Sequence, residues 1–232
     1  KESAPSNQEI PSYIQVIGAI YKNSDPSDIA VTAAGGLVGE VIQVWRPREL
    51  NTHETEWGFS CMSYEISGAL GIKMANPDKE VISFVGDGSY LLNNTDIYSS
   101  VITNNKLIII VCDNGGFAVI NRLQLFKGGN EYNNLLKTSN APGLVDVDFA
   151  KHAESMGAKS EHVNSISDLE EAFKRAKKSD VTYVISIKTH AYQWLEGSAF
   201  WDSPTLEIPT TNENKEALKL HKEGKSKQRQ GV

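Results

Sequence analysis

The chain has only two cysteines in 232 residues, Cys61 and Cys112, far apart and outside any CxxC spacing. That scarcity argues against a disulfide framework and a thiolate zinc site, and it fits a reducing, cytoplasmic setting. Cys112, inside LIIIVC, reads as a small buried core residue. Positive charge is also short. With 23 Lys and Arg against 29 Asp and Glu, the net charge is −6, and the broad basic face that nucleic acid requires is missing. No window approaches the roughly 18 uninterrupted apolar residues of a membrane span. The opening KESAPSNQEIPSY carries no apolar core of the kind a secretory signal has. HExxH is absent, and His152, His162, His190 and His221 form no ligand-like cluster. No internal repeat is visible. These absences leave an expectation of a globular protein with neither nucleic acid nor membrane as partner.

What is present is a series of short β-branched runs: IAVTA from Ile29, VISFV from Val81, LIIIVC from Leu107 and VTYVISIK from Val181. Continuous apolar runs of this length suit strands buried on both faces, as in a parallel sheet covered by helices. Helical patterns fall between them. Met62, Ile66, Ala69, Leu70 and Met74 share one face at three- and four-residue spacing, as do Leu91, Thr95, Tyr98 and Ile102. Ser167-x-x-Glu170 reads as a capping box opening a helix before the last strand. The alternation predicts an α/β fold, a doubly wound and mostly parallel sheet with helices on both faces, over residues 10–190. Residues 1–9 are expected to be a flexible lead. Residues 191–232 are expected to form an aromatic extension, with Trp194, Phe200 and Trp201 close together, and then a polar, basic, frayed tail.

Ligands of such sheets collect at the carboxyl edge of the strands. VISFV delivers Gly86-Asp87-Gly88 to that edge, and LIIIVC delivers Asp113-Asn114-Gly115-Gly116 to the same edge. Asp87 and Asn114 are thereby predicted to meet, whereas Asn93-Asn94 ride away on the intervening helix and Asn104-Asn105 lie at its far end. One carboxylate, one amide oxygen and a backbone carbonyl make a hard oxygen site with too few ligands to complete an octahedron. Magnesium fills such a shell with water and substrate phosphates. Glycines let backbone N–H groups approach an anion, and a helix after Ser89 would point its positive end there. A magnesium-bridged diphosphate is the ligand these residues suit.

GDG followed after about 25 residues by DNGGF resembles the diphosphate-binding motif of thiamine diphosphate enzymes. The resemblance implies magnesium on Asp87, Asn114 and the main-chain oxygen of Gly116, with Gly86, Gly88 and Ser89 at the diphosphate and Phe117 beside them. GFSCMSYEISGALG resembles the segment that precedes GDG in the pyruvate-oxidase-like branch. It implies that Met62 is the bulky residue bending the cofactor, that Ser60 and Cys61 lie near the aminopyrimidine through their backbone, and that Gly35 and Gly36 approach the diphosphate. Ser63 and Glu65 stand where glycine is common.

HETEWGFSCMSYEISGALG, DNGGFAVINRLQ and THAYQWLEGSAFWD together are most similar to the trihydroxycyclohexanedione hydrolase group of myo-inositol breakdown. That similarity implies hydrolytic cleavage of a carbon–carbon bond in a cyclic 1,2-diketone and a homo-oligomer (dimer or tetramer); His53, close to the expected cofactor region, is a candidate for handling substrate. The family's activating glutamate lies on a separate pyrimidine-binding domain, so this chain is expected to be catalytically incomplete alone. Glu54 and Glu56, on an expected loop, are poor substitutes for it. Other readings are the same domain of an acetolactate synthase or 2-oxo acid decarboxylase, a non-catalytic cofactor-binding module or split subunit, and a flavodoxin-like phosphate binder.

Overall fold

In a computed structural model of the chain, residues 9–56, 58–140, 143, 145–195 and 202–229 are described. The four apolar runs form β1 (Ile29–Thr32), β3 (Val81–Gly86), β4 (Ile108–Asp113) and β6 (Tyr183–Lys188). With β2 (His53–Thr55) and β5 (Lys159–Val163) they build a six-stranded sheet of order β2-β1-β3-β4-β6-β5. Every pairing is parallel. The predicted strands are the inner four. The two edge strands, HET and KSEHV, are polar and partly exposed, so they carry no apolar run to read. His53–Thr55, expected as part of a loop, thus supplies an edge strand, paired from Ala30↔His53 to Thr32↔Thr55.

The inner strands divide their side chains between two layers, as a two-residue period requires. Ala30, Ile82, Phe84, Ile108, Ile110 and Ile185 pack with α1 (Tyr13–Asn23), α2 (Gly35–Val44) and α8 (Ile166–Lys178). Ile29, Val31, Val81, Val85, Ile109 and Val111 pack with α3 (Tyr64–Ala75), α4 (Asp87–Leu92), α5 (Thr95–Ile102) and α7 (Phe149–Ser155).

Several local expectations change. In α3 the buried apolar residues are Ile66, Ala69 and Leu70, but Met74 is exposed and Met62 precedes the helix. The single helix expected after GDG is two, broken at Asn93–Asn94, and the break resets the helical phase. Tyr90 and Ile97 are therefore buried, while Leu91, Thr95, Tyr98 and Ile102 are exposed. The α8 cap is Ser165, whose hydroxyl accepts from the Asp168 N–H at 3.1 Å, two residues before the expected capping box.

The chain separates into two compact units, residues 1–116 with 146–195 and residues 117–145 with 196–232. The second holds α6 (Ala118–Phe126), a 3-10 turn (Leu136–Thr138) and α9 (Asn212–Lys227). The tail expected to fray thus contains a sixteen-residue helix. Its N-cap Thr211 accepts from the Asn214 N–H, and the Asn214 amide donates to the carbonyls of Lys127 and Gly128. Gly128 has φ +78, and a Cβ there would lie 2.5 Å from Glu213 backbone, so only glycine permits this contact. Phe200 and Trp201 of the aromatic extension lie outside the described residues.

Candidate functional site

Parallel register brings the chemistry-bearing residues to one edge. Gly86 pairs with Cys112 and Asp113 with Lys188, so the chain leaves β3 at Asp87 and β4 at Asn114 side by side. The Asn114 N–H lies 3.5 Å from Asp87 Oδ1, and the Gly116 N–H also donates to that carboxylate. Asp87 is buried, and burial together with the neighbouring Asp113 carboxylate pushes its pKa up to about 7. Asp113 is otherwise occupied: Oδ1 accepts from the Gly115 N–H at 3.0 Å and Oδ2 pairs with Lys188 Nζ at 2.6 Å. Lys188 also binds Asp146 at 2.5 Å. The lysine thus ties the end of β4 at Asp113 to Asp146, the stretch that leads into α7.

Asn114 is oriented from a distance. Its Nδ2 donates to the hydroxyl of Tyr13, a residue of α1. Its Oδ1 is buried and has no hydrogen-bond partner. Buried polar atoms normally have one, so an orphaned amide oxygen next to a carboxylate held near neutrality suits a hard cation. Among the described residues no three His, Cys, Asp or Glu side chains cluster as a protein-only metal cage. Magnesium needs none, since it retains water and ligand oxygens. Gly115 and Gly116 have φ +78 and +141, which lets the backbone turn here without strain.

The helix that follows Gly86 differs from expectation. Asp87 is its first residue rather than Ser89, and α4 has only six residues. Ser89 is buried, and its hydroxyl donates to Glu65 Oε2 at 2.9 Å while accepting from the Ser63 N–H at 2.6 Å. Glu65, almost fully buried, also accepts from the Ala34 N–H at 3.2 Å, immediately before Gly35 and Gly36. Gly35 has φ +78 and opens α2. Ser63, where glycine is common in the resembling family, adopts φ +79 and so meets the backbone demand that glycine answers elsewhere.

The segment carrying Ser60, Cys61 and Met62 is organised by Glu56, whose carboxylate accepts from the N–H groups of Phe59 at 2.9 Å and Cys61 at 2.6 Å. Ser60 and Cys61 are exposed, and Met62 is half-buried. His53 lies on β2 with Nε2 3.0 Å from Thr55 Oγ1, and burial lowers its pKa. Phe117 caps α6 in the second unit, where its N–H donates to the Asn134 carbonyl at 2.7 Å. Asn93 and Asn94 sit at the α4–α5 break, donating to Ser67 Oγ and the Tyr90 carbonyl. Sequence reasoning missed Tyr13 and the structural part of Glu65. Glu65 left a signal, a charge in the first turn of an apolar helix; Tyr13 left none.

The family described as "Thiamine pyrophosphate enzyme, C-terminal TPP binding domain" matches residues 33–187. The chain belongs to that family. Curated relatives of this thiamine pyrophosphate domain include proteins named 3D-(3,5/4)-trihydroxycyclohexane-1,2-dione hydrolase. That of Bacillus licheniformis is 38% identical over 79% of this chain and 29% of its own length. That of Shouchella clausii is 36% identical over 86% and 31%. The chain therefore spans only about a third of the curated relatives it matches. A solved structure, the Rhodococcus jostii RHA1 thiamine diphosphate-dependent 4-hydroxybenzoylformate decarboxylase, superposes with a TM-score of 0.72 at 21% identity, covering 82% of this chain and 34% of that one. At that identity the likeness bears on the fold. Among the described residues, no helix is long and apolar enough to cross a membrane.

Proposed function

We propose that this chain is the diphosphate-binding domain of a thiamine diphosphate- and magnesium-dependent hydrolase that opens a cyclic 1,2-diketone by carbon–carbon cleavage, as in inositol catabolism. In this reading Asp87, Asn114 Oδ1 and the Gly116 carbonyl hold magnesium. Gly35, Gly36, Gly86, Gly88 and Ser89 surround the diphosphate; Ser60, Cys61 and Met62 lie toward the aminopyrimidine, and His53 handles substrate. The observation that carries the metal assignment is the orphaned Asn114 Oδ1 on the strand end beside Asp87. Support for the substrate is the shared name of the relatives, each of which this chain covers by about 30%. Thiamine diphosphate, when bound, supplies the electron sink for bond cleavage. The residues of this chain bind, orient and neutralise charge, and the activating glutamate belongs to a pyrimidine-binding domain elsewhere in the subunit or on another chain. A cytoplasmic dimer or tetramer completes the proposal.

Calorimetry of the 232-residue chain with thiamine diphosphate, with and without magnesium, tests it. Magnesium-dependent binding is expected, and its absence at millimolar cofactor in a folded sample counts against the metal and cofactor assignment. For the substrate, the longer protein should yield 5-deoxyglucuronate from the cyclic diketone; turnover of a 2-oxo acid instead would transfer the domain to a decarboxylase or synthase.

A further inference from the structure

Among the described residues, Glu65 is a buried carboxylate whose partners are all dipoles. They are the N–H groups of Ala34, Ser63 and Glu65 itself and the Ser89 hydroxyl. Burial holds its pKa above the ordinary value. A charge-bearing group kept inside without a cation opposes stability, so packing alone does not account for it. Its contacts join three stretches. Oε1 takes the Ala34 N–H at the mouth of the Gly35-Gly36 turn; Oε2 takes the Ser89 proton in the helix that begins at Asp87; and Ser89 Oγ takes the Ser63 N–H in the turn that follows Met62. The Glu65 carbonyl in turn accepts from Ser83 Oγ at 2.8 Å, fastening α3 to β3.

We propose that Glu65 is the positioning residue of the diphosphate site, holding the Gly35-Gly36 turn, the Met62-Ser63 turn and Ser89 in one arrangement; this rests on the function proposed above. A hydroxyl has one proton to donate, and Ser89 gives its proton to Glu65. Ser89 therefore meets a bound diphosphate through its main chain, and its side chain serves the scaffold. A carboxylate is the group that fits, because both of its oxygens accept. Glutamine has one acceptor oxygen, so in Glu65→Gln either the Ala34 N–H or the Ser89 hydroxyl would face an NH2 group instead.

The test compares Glu65→Gln, Ser89→Ala and their double variant in the full 232-residue chain by calorimetry with thiamine diphosphate and magnesium, alongside thermal melting and amide exchange. Glu65→Gln should melt no lower than wild type, because a buried charge is removed, and yet bind the cofactor about tenfold more weakly. Its Ala34 and Ser63 amides should exchange faster even without cofactor. Ser89→Ala should show a similar loss, and the double variant should be no worse than the worse single one, as expected of residues acting as a unit. Ser83→Ala, which loosens only the main-chain fastening, should lower the melting temperature and leave affinity within about twofold. Wild-type binding that Glu65→Gln and Ser89→Ala both match overturns this inference alone. Additive losses in the double variant overturn it too, by making Glu65 and Ser89 independent. No binding by the wild-type chain overturns the proposed function, and this inference with it.

Discussion

Two buried carboxylates, about twenty residues apart in sequence, show how differently one edge of a sheet can use the same chemical group. Both Asp87 and Glu65 are buried, and burial raises the pKa of both. Around Glu65 the polar groups close on themselves: Ala34, Ser63 and Ser89 supply the donors, and the one proton of the Ser89 hydroxyl is taken. Around Asp87 they do not close. Another carboxylate, Asp113, stands beside it, and Asn114 Oδ1 has no partner. A satisfied cluster rigidifies; an unsatisfied one of like-signed oxygens calls for a cation. One region reads as scaffold and its neighbour as binding site.

The sharpest way to break this contrast is Asp87→Ala, which should reduce magnesium-dependent thiamine diphosphate binding at least about a hundredfold, roughly 3 kcal/mol by calorimetry. A loss no larger than that of Asn94→Ala would refute the strand-end site.

Next in size is the effect of protonation on stability. The folded pKa of Asp87, about 7, lies above its unfolded value of 3.8, so the folded state binds the proton more tightly. The metal-free chain should therefore lose stability as pH rises from about 4 to 7 and level off above it, the contribution being on the order of a few kcal/mol. Asp87→Asn should flatten that slope and melt higher than wild type at pH 8 without magnesium. Urea unfolding at several pH values measures it, and an unchanged slope in the variant would remove Asp87 as its source.

Tyr13→Phe should act more gently. It takes away the acceptor of Asn114 Nδ2 and frees the amide to turn, so magnesium affinity should fall severalfold and stability by about 1–3 kcal/mol. An affinity equal to wild type would show that Asn114 needs no such orientation.

Asn94→Ala closes the series. It deletes a bond to the Tyr90 carbonyl and should cost about 1 kcal/mol of stability, with metal dependence intact.

Much of this arrangement was legible in the chain. The inner strands β1, β3, β4 and β6 announce themselves because strands buried on both faces must be apolar throughout. Edge strands β2 and β5 need not be, and HET and KSEHV gave no warning. Strand ends alone led to the expectation of Asn114 rather than Asn93 or Asn94 beside Asp87; Asn114 does leave β4 next to Asp87, whereas Asn93 and Asn94 lie at a helix break instead of on one continuous helix. Helical phase was less legible. Apolar residues occur on both sides of the stretch after GDG, and the break at Asn93–Asn94 selects Tyr90 and Ile97, rather than Leu91 and Tyr98, for the core. The α9 segment looked like a solvated tail because its stabilising contact, Asn214 on the Gly128 turn, is 86 residues away in sequence.

By itself, then, the sequence determined the doubly wound core and the delivery of Asp87 and Asn114 to one edge, since periodicity and strand ends are local properties. Tertiary structure alone decided which polar groups remain available there. The Asn114 amide is turned by a tyrosine 101 residues away, and the Ser89 proton is taken by a glutamate 24 residues away. Hydrogen-bond capacity is consumed by whichever group folding brings near, and no local pattern records that.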